Sequence, residues 1–391
     1  MRIKRALVLP SKTFLLLGPR GTGKSTLIRD KLHVDLEINL LKSDQFLPFS
    51  QNPTLLQNRV KDFKPGSWVF IDEIQKIPAL MDEIHSAYEE FRLNFALSGS
   101  SARKLRRGGV NLLGGRALVA ELFPFVFQEW KDSGISFSEV LEWGSLPLVI
   151  TDPQNRAETL MSYVETYLRQ ELIEEGLIRK LEPFARFLRV TGLYHAQILN
   201  VENIARESHL ARSVVSNYFE VLEETLIGFM LQPLHAKVKR KEVTHPKFYL
   251  FDTGVARACA GLVGEELDSV WLGFALESYL LHEVRAYNSY SKKRRDLFYY
   301  KYSDGYEIDL VVETRKKTLS QSQELVLMEI KANRRWDPKW NLAMIDFKKN
   351  SRSKIKACYG IYQGTDTQIF DGITVLPVFE FLERLKNGEI F

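Results

Sequence analysis

The apolar run Thr13 to Leu17 leads straight into Gly18-Pro19-Arg20-Gly21-Thr22-Gly23-Lys24-Ser25, a full match to G-x-x-x-x-G-K-[ST]. No other stretch constrains the fold as tightly, because the pattern demands a buried strand, a glycine loop and a helix in that order. The glycines let backbone N–H groups close around a phosphate while the following helix aims its N-terminus at the same charge. Lys24 is placed to reach the β/γ oxygens and Ser25 to hold Mg²⁺, with Thr26 opening the helix. The bland alternative is a chance glycine turn before an amphipathic helix (Thr26, Leu27, Ile28), and only context separates the two.

That context is Trp68-Val-Phe-Ile-Asp72-Glu73, an apolar strand ending in two acids and preceded by the turn signal Lys64-Pro65-Gly66. After a phosphate loop, Asp72 is expected to orient the Mg²⁺ water shell and Glu73 to polarise the attacking water. A third apolar strand, Phe95 to Ser98, runs into Gly99-Ser100-Ser101. Ser98, and secondarily Ser100, are candidate sensors of the γ-phosphate; a Ser/Gly turn capping the next helix near Ala102 accounts for them equally. Arg116 follows Leu112-Leu-Gly-Gly and suits a phosphate contact in its own or a neighbouring subunit, although an idle surface arginine fits as well.

Gly18 to Ser25, Ile71-Asp-Glu-Ile-Gln75, Leu97-Ser-Gly-Ser-Ser101, Gly115-Arg116 and Leu122-Phe-Pro-Phe125 together resemble the AAA-type ATPases of bacteria and archaea that carry a C-terminal endonuclease-like domain of unknown function. The resemblance implies a doubly wound P-loop core, ATP as the nucleotide and a ring-forming homo-oligomer such as a hexamer, in which Arg116 reaches across subunits.

From Phe127 to about Leu181 apolar residues recur at helical spacing (Leu160, Tyr163, Val164, Tyr167, Leu168, Leu172), consistent with a lid or linker over the nucleotide site. Next comes a helix over Val201–Glu207, a turn at Ser208–Leu210 and a helix over Ala211–Leu226. Its apolar stripe is Val214, Val215, Tyr218, Leu222 and Leu226. Arg212, Ser213, Ser216 and Asn217 on the other face are candidate DNA contacts. A charged hairpin with Lys237, Lys239, Arg240, Lys241 and His245-Pro246-Lys247 supplies a wing, completed by the strand Phe248–Phe251. The same winged-helix shape serves equally as a protein–protein adaptor.

In the last third, Glu277 lies in a helical stretch, Asp309 in the strand Glu307–Val312, and Glu329-Ile-Lys331 in the strand Leu325–Lys331. Alternation along a strand puts Glu329 and Lys331 on one face. Two carboxylates and an ammonium brought together suit Mg²⁺-assisted attack on a phosphodiester. The order resembles the restriction-endonuclease-like D…E-x-K pattern, with Glu277 as the helical acid and Glu307 as a further candidate ligand. A solvated strand face is the alternative.

Composition trims the remaining possibilities. The 391 residues carry 54 Lys plus Arg against 49 Asp plus Glu, so the net charge of +5 is too small for a polycation and any basic surface is local. Cys259 and Cys358 stand far apart with no metal-ligand spacing, which points to a reducing cytoplasm. No apolar run is long enough for a membrane helix. The expected architecture is multidomain α/β: a P-loop ATPase domain over 1–130, a helical lid or linker over 131–180, a winged helix over 181–262 and a restriction-endonuclease-like α/β domain over 263–391. The leading expectation is a Mg²⁺-dependent ATPase acting on duplex or branched DNA. An ATP-gated endonuclease and a nucleotide switch for a protein partner are the alternatives.

Overall fold

The computed structural model describes residues 3–101, 116–168, 172–173, 178, 180–236, 242–302 and 305–391. The first sheet has five strands in the order β2-β3-β4-β1-β5: β1 Phe14–Leu17, β2 Leu36–Asn39, β3 Trp68–Asp72, β4 Asn94–Gly99 and β5 Leu118–Glu121. All its pairings are parallel. A parallel sheet is covered on both faces, so its strands read as continuous apolar runs, and Phe14 to Leu17 are all buried. Helices α1 (Lys24–Lys31) and α2 (Leu80–Phe91) belong to this layer. The chain leaves β1, forms β2 at the far edge, returns through β3 and β4 to the side of β1, and then adds β5 on its other side. Ligands of open parallel sheets bind beyond the carboxyl ends of the strands at such a reversal. The glycine loop, Asp72 and Ser98 all lie there.

The middle unit comprises α3 (Leu181–Leu193), β6 (Gln197–Ile198), α4 (Val201–Ser208), α5 (Arg212–Glu224), β7 (Gly228–Pro233), β8 (Lys247–Leu250) and α6 (Thr253–Ala260). The Asn200 side chain caps α4 by accepting from Asn203 N at 3.0 Å, and His209, at φ 54°, ends it. Val215, Tyr218 and Leu222 form the buried stripe of α5. Leu226, expected in that stripe, lies past the helix end with φ 61° and packs against the core of the five-stranded sheet instead.

The sheet of the middle unit does not stop at its edge. β7 pairs in parallel with β9 (Asp296–Lys301), joining a nine-stranded sheet of order β13-β14-β12-β11-β10-β9-β7-β8-β6. The other strands are β10 Glu307–Arg315, β11 Glu324–Lys331, β12 Lys354–Tyr362, β13 Gln368–Phe370 and β14 Ile373–Pro377. The long helix α7 (Ser269–Tyr290), with α8 (Leu342–Asn350) and α9 (Val378–Asn387), completes this part.

Residues of the segment 131–180 pack into two cores. Val140, Leu141 and Ile150 share a core with α7 and the C-terminal strands, whereas Leu160, Tyr163 and Val164 join the core of the middle unit. Tyr163 of this segment touches the glycine loop: its hydroxyl donates to Arg20 O at 2.9 Å. Among the described residues no helix is long and apolar enough to cross a membrane.

Candidate functional site

The glycine loop has the backbone its sequence calls for. Gly21 and Gly23 take φ of 82° and 86°, a region that side chains with Cβ avoid. A Cβ on Gly18 would stand 2.3 Å from the Leu122 carbonyl oxygen, so the start of the loop tolerates no side chain. Lys24 is buried and donates to the carbonyls of Gly18 at 2.8 Å and Pro19 at 3.1 Å. The Thr22 hydroxyl donates to Pro19 O at 2.8 Å, while Thr26 is exposed on the first turn of α1. Arg5, missed in the sequence, clamps the loop from outside. Its guanidinium donates to Thr22 O at 2.6 Å and Phe123 O at 2.5 Å and pairs with Glu129 at 3.1 Å.

Ser25 on α1 donates to both Asp72 oxygens, at 2.9 and 2.8 Å. Ser98 on β4 also donates to Asp72 and accepts from Glu73 N at 3.3 Å. Three elements thus converge on one buried carboxylate. Its hard oxygens, with the Ser25 hydroxyl beside them, fit a Mg²⁺ ion bound with nucleotide. Glu73 sits at φ 61°, and its carboxylate accepts from Gln75 Nε2 and from Ser100 Oγ at 3.4 Å. Gln75 escaped the sequence reading except as part of the resemblance. A polar residue two places after an acid pair, inside the short turn Ile74–Lys76, was the available signal.

Arg116 pairs with Glu89 on α2 at 2.5 Å, both half exposed. It stands two residues before β5, whose first residue lies opposite the first residue of β1. Arg116 therefore stands at the amino ends of the strands, about 13 Å of strand away from its own glycine loop. On α5, Arg212, Ser213, Ser216 and Asn217 are all exposed, and Arg212 pairs with Glu202 at 3.1 Å. Lys239, Arg240 and Lys241, like Gly115, lie outside the described residues.

A second cluster forms on the nine-stranded sheet. Leu310 of β10 lies opposite Met328 of β11, so Asp309 and Glu329 are the next facing pair. The β10–β9 register shifts between Ile308 and Val311, a bulge of the kind that re-aims a side chain, here at Asp309. Glu307, Asp309, Glu329 and Lys331 line one cavity of about 350 Å³, with Tyr306, Lys339 and Trp340 at its walls. Lys331 pairs with Glu329 and, at 3.4 Å, with Asp309, which also accepts from Ile330 N at 2.7 Å.

Glu277 reaches the cluster from α7, but through a residue the sequence had placed elsewhere. Lys247, expected on the solvent-facing wing, is 3% exposed, and its ammonium lies 2.7 Å from Glu277 and 2.5 Å from Glu307. Tyr249 also donates to Glu277, and Lys301 pairs with Glu307 at 2.6 Å. Burial pushes the Glu277 and Glu329 carboxyls up, Glu329 strongly and with Asp309 adding to it. Burial opposes ionisation of Glu307 too, but Lys247 and Lys301 hold it below its ordinary value. Lys247 is itself opposed by burial, yet the carboxylates around it keep it well above the usual lysine range. Among the described residues no three Asp, Glu, His or Cys side chains converge closely enough to hold a metal ion.

Comparison with known proteins fits this geometry. Residues 10–131 match the family described as an AAA domain, which makes the first third an AAA-type P-loop ATPase domain. Residues 135–266 and 272–381 match two families described as domains of unknown function, DUF8612 and DUF4143. The uncharacterized protein Rv2008c of Mycobacterium tuberculosis is 26% identical over 330 residues, covering 80% of this chain and 70% of that protein. The Holliday junction branch migration complex subunit RuvB of Staphylococcus aureus is 31% identical over 99 residues, 25% of this chain and 29% of RuvB. Among solved structures, the Aeropyrum pernix ORC1 protein in complex with DNA aligns over 64% of this chain and 86% of its own. That alignment has 14% identity and a TM-score of 0.27, too low to carry an argument.

Proposed function

We propose that the protein is a Mg²⁺-dependent ATPase that binds DNA and couples hydrolysis to remodelling or translocation of duplex or branched DNA, working as a homo-oligomeric ring such as a hexamer. The observation that carries the reading is the convergence of Ser25 and Ser98 on Asp72 beside the Lys24 loop. Lys24, now spent on two backbone carbonyls, turns to the β/γ oxygens when a triphosphate enters, and the loop N–H groups close on the phosphate. Ser25 and Asp72 would hold the Mg²⁺, whose contribution is to neutralise charge on the β/γ-phosphates. Glu73, released from Gln75 and Ser100, polarises the attacking water. Ser98, touching both acids of the pair, registers that change. Arg116 completes the site of a neighbouring subunit.

For DNA, the support is the exposed polar face of α5 within the run α3-β6-α4-α5-β7-β8, the element order expected of a winged helix, together with the local similarity to a branch migration subunit. The test is ATP turnover by wild type and Lys24→Ala with single-stranded, duplex and branched DNA. Turnover that rises with DNA in wild type and vanishes in the variant supports the reading; a rate indifferent to every DNA form removes the DNA half of it.

An ATP-gated endonuclease stands second, favoured by the cavity that Asp309, Glu329 and Lys331 share on the neighbouring strands β10 and β11. Cleavage products run from the same reactions test it, and Mg²⁺-dependent products lost in Lys331→Ala would establish it.

A further inference from the structure

We propose that Lys247 is the resident cation of the C-terminal acidic pocket and bars divalent metal from it in this conformation. The inference rests on the pocket itself and is independent of the ATPase reading. Carboxylates that serve a metal converge on one point with oxygens about 2.0–2.1 Å from Mg²⁺. Here Glu277 and Glu307 converge instead on the Lys247 nitrogen, at 2.7 and 2.5 Å. The other two acids, Asp309 and Glu329, converge on Lys331.

Four carboxylates are thus met by Lys247, Lys331 and Lys301, with Lys339 on the cavity wall as a fourth ammonium. A dication entering this set would find no uncompensated charge to repay its dehydration. One oxygen stands apart: Glu329 Oε2 is buried without a hydrogen-bond partner. That is the coordination position a metal would satisfy if the lysine were withdrawn.

Lys247 does not come from the acids' own strands. It belongs to β8, which joins β9 only through β7, and the β7–β9 ladder pairs just Gln232 with Phe298 and Pro233 with Tyr299. One cation of the acidic cluster, Lys247, is therefore supplied by the helix-rich middle unit. Removing or shifting that one side chain is what would convert a charge-balanced pocket into a metal site.

The test is Mn²⁺ binding by the nucleotide-free full-length chain, followed by titration calorimetry and by electron paramagnetic resonance of free Mn²⁺. Wild type and Asp309→Asn are expected to give superimposable isotherms, because the pocket takes no Mn²⁺ in either. Lys247→Met is expected to bind one additional Mn²⁺, lost again in Lys247→Met/Asp309→Asn. A Mn²⁺ bound by wild type and lost in Asp309→Asn overturns the proposal, as does a folded Lys247→Met chain with no added site. If Lys247→Met fails to fold, the wild-type comparison still decides. Loss of ATP turnover in Lys24→Ala bears on the nucleotide site alone and leaves this outcome untouched.

Discussion

Two buried acidic centres lie at strand ends in this chain, and they are held in opposite ways. Asp72 is gripped by the hydroxyls of Ser25 and Ser98; the Arg29 guanidinium stands 4.0 Å from it, already paired with Glu37. Glu277, Glu307, Asp309 and Glu329 are gripped by ammonium groups. A hydroxyl orients a carboxylate and leaves its charge available to an incoming metal–nucleotide complex. An ammonium orients it and cancels the charge. The same side-chain type therefore prepares one centre for a cation and the other against it, and the donors around each acid tell which.

The largest effect that can break this comparison is loss of Lys247. Lys247→Met leaves Glu277 buried without its partner and should cost about 3–5 kcal/mol in urea unfolding. Adding Glu277→Leu should recover much of that, and equal destabilisation in the double variant would mean that the pair is not the cause. On the hydroxyl side, Lys24→Ala should lower ATP turnover about 100-fold or more in a phosphate-release assay while leaving the unfolding midpoint nearly unchanged.

Glu283 sharpens the contrast, because among the described residues it has no ammonium partner. It accepts from Phe127 N at 2.6 Å and Tyr279 OH at 2.5 Å, and burial lifts its carboxyl from 4.5 to about 8. The folded chain keeps a proton there that the unfolded chain releases. Stability should therefore fall as pH rises from 4.5 through about 8, by up to about 5 kcal/mol. Glu283→Gln should flatten that slope in denaturation curves taken across the window, and an unchanged slope would refute the assignment.

Smaller effects follow. Ser98→Ala removes one positioning hydrogen bond of about 1 kcal/mol and should slow turnover several-fold to about tenfold, with Ser98→Thr rescuing it. Arg116→Ala breaks only an exposed pair with Glu89 and should change stability by less than about 0.5 kcal/mol. If Arg116 serves a neighbouring subunit, the same variant abolishes any rise of specific ATPase activity with protein concentration.

What was legible in the sequence was local. The glycine loop, Asp72, Glu73 and Ser98 each follow a contiguous apolar strand, and parallel strands carry such residues to one end of the sheet without further information. Asp309, Glu329 and Lys331 were legible for the same reason, since one hairpin brings them together. Partners supplied by distant segments were not. Arg5 meets Thr22 across a fold-back of the chain, Tyr163 meets Arg20 from 143 residues away, and Lys247 meets Glu277 and Glu307 through a strand order that no local pattern encodes. Lys247 did leave a trace: it is the one charge at the head of the aromatic run Phe248-Tyr-Leu-Phe251, and all four residues of β8 are buried. A lone lysine opening a strand buried on every side requires an acid partner inside the protein.

The most direct measurement is Mn²⁺ binding in the presence of ATP, using Mn²⁺ as the probe for both centres. One Mn²⁺ is expected that appears only with ATP, disappears in Lys24→Ala and Asp72→Asn, and persists in Asp309→Asn. Tight Mn²⁺ binding without nucleotide that is lost in Asp309→Asn and kept in Asp72→Asn would contradict it.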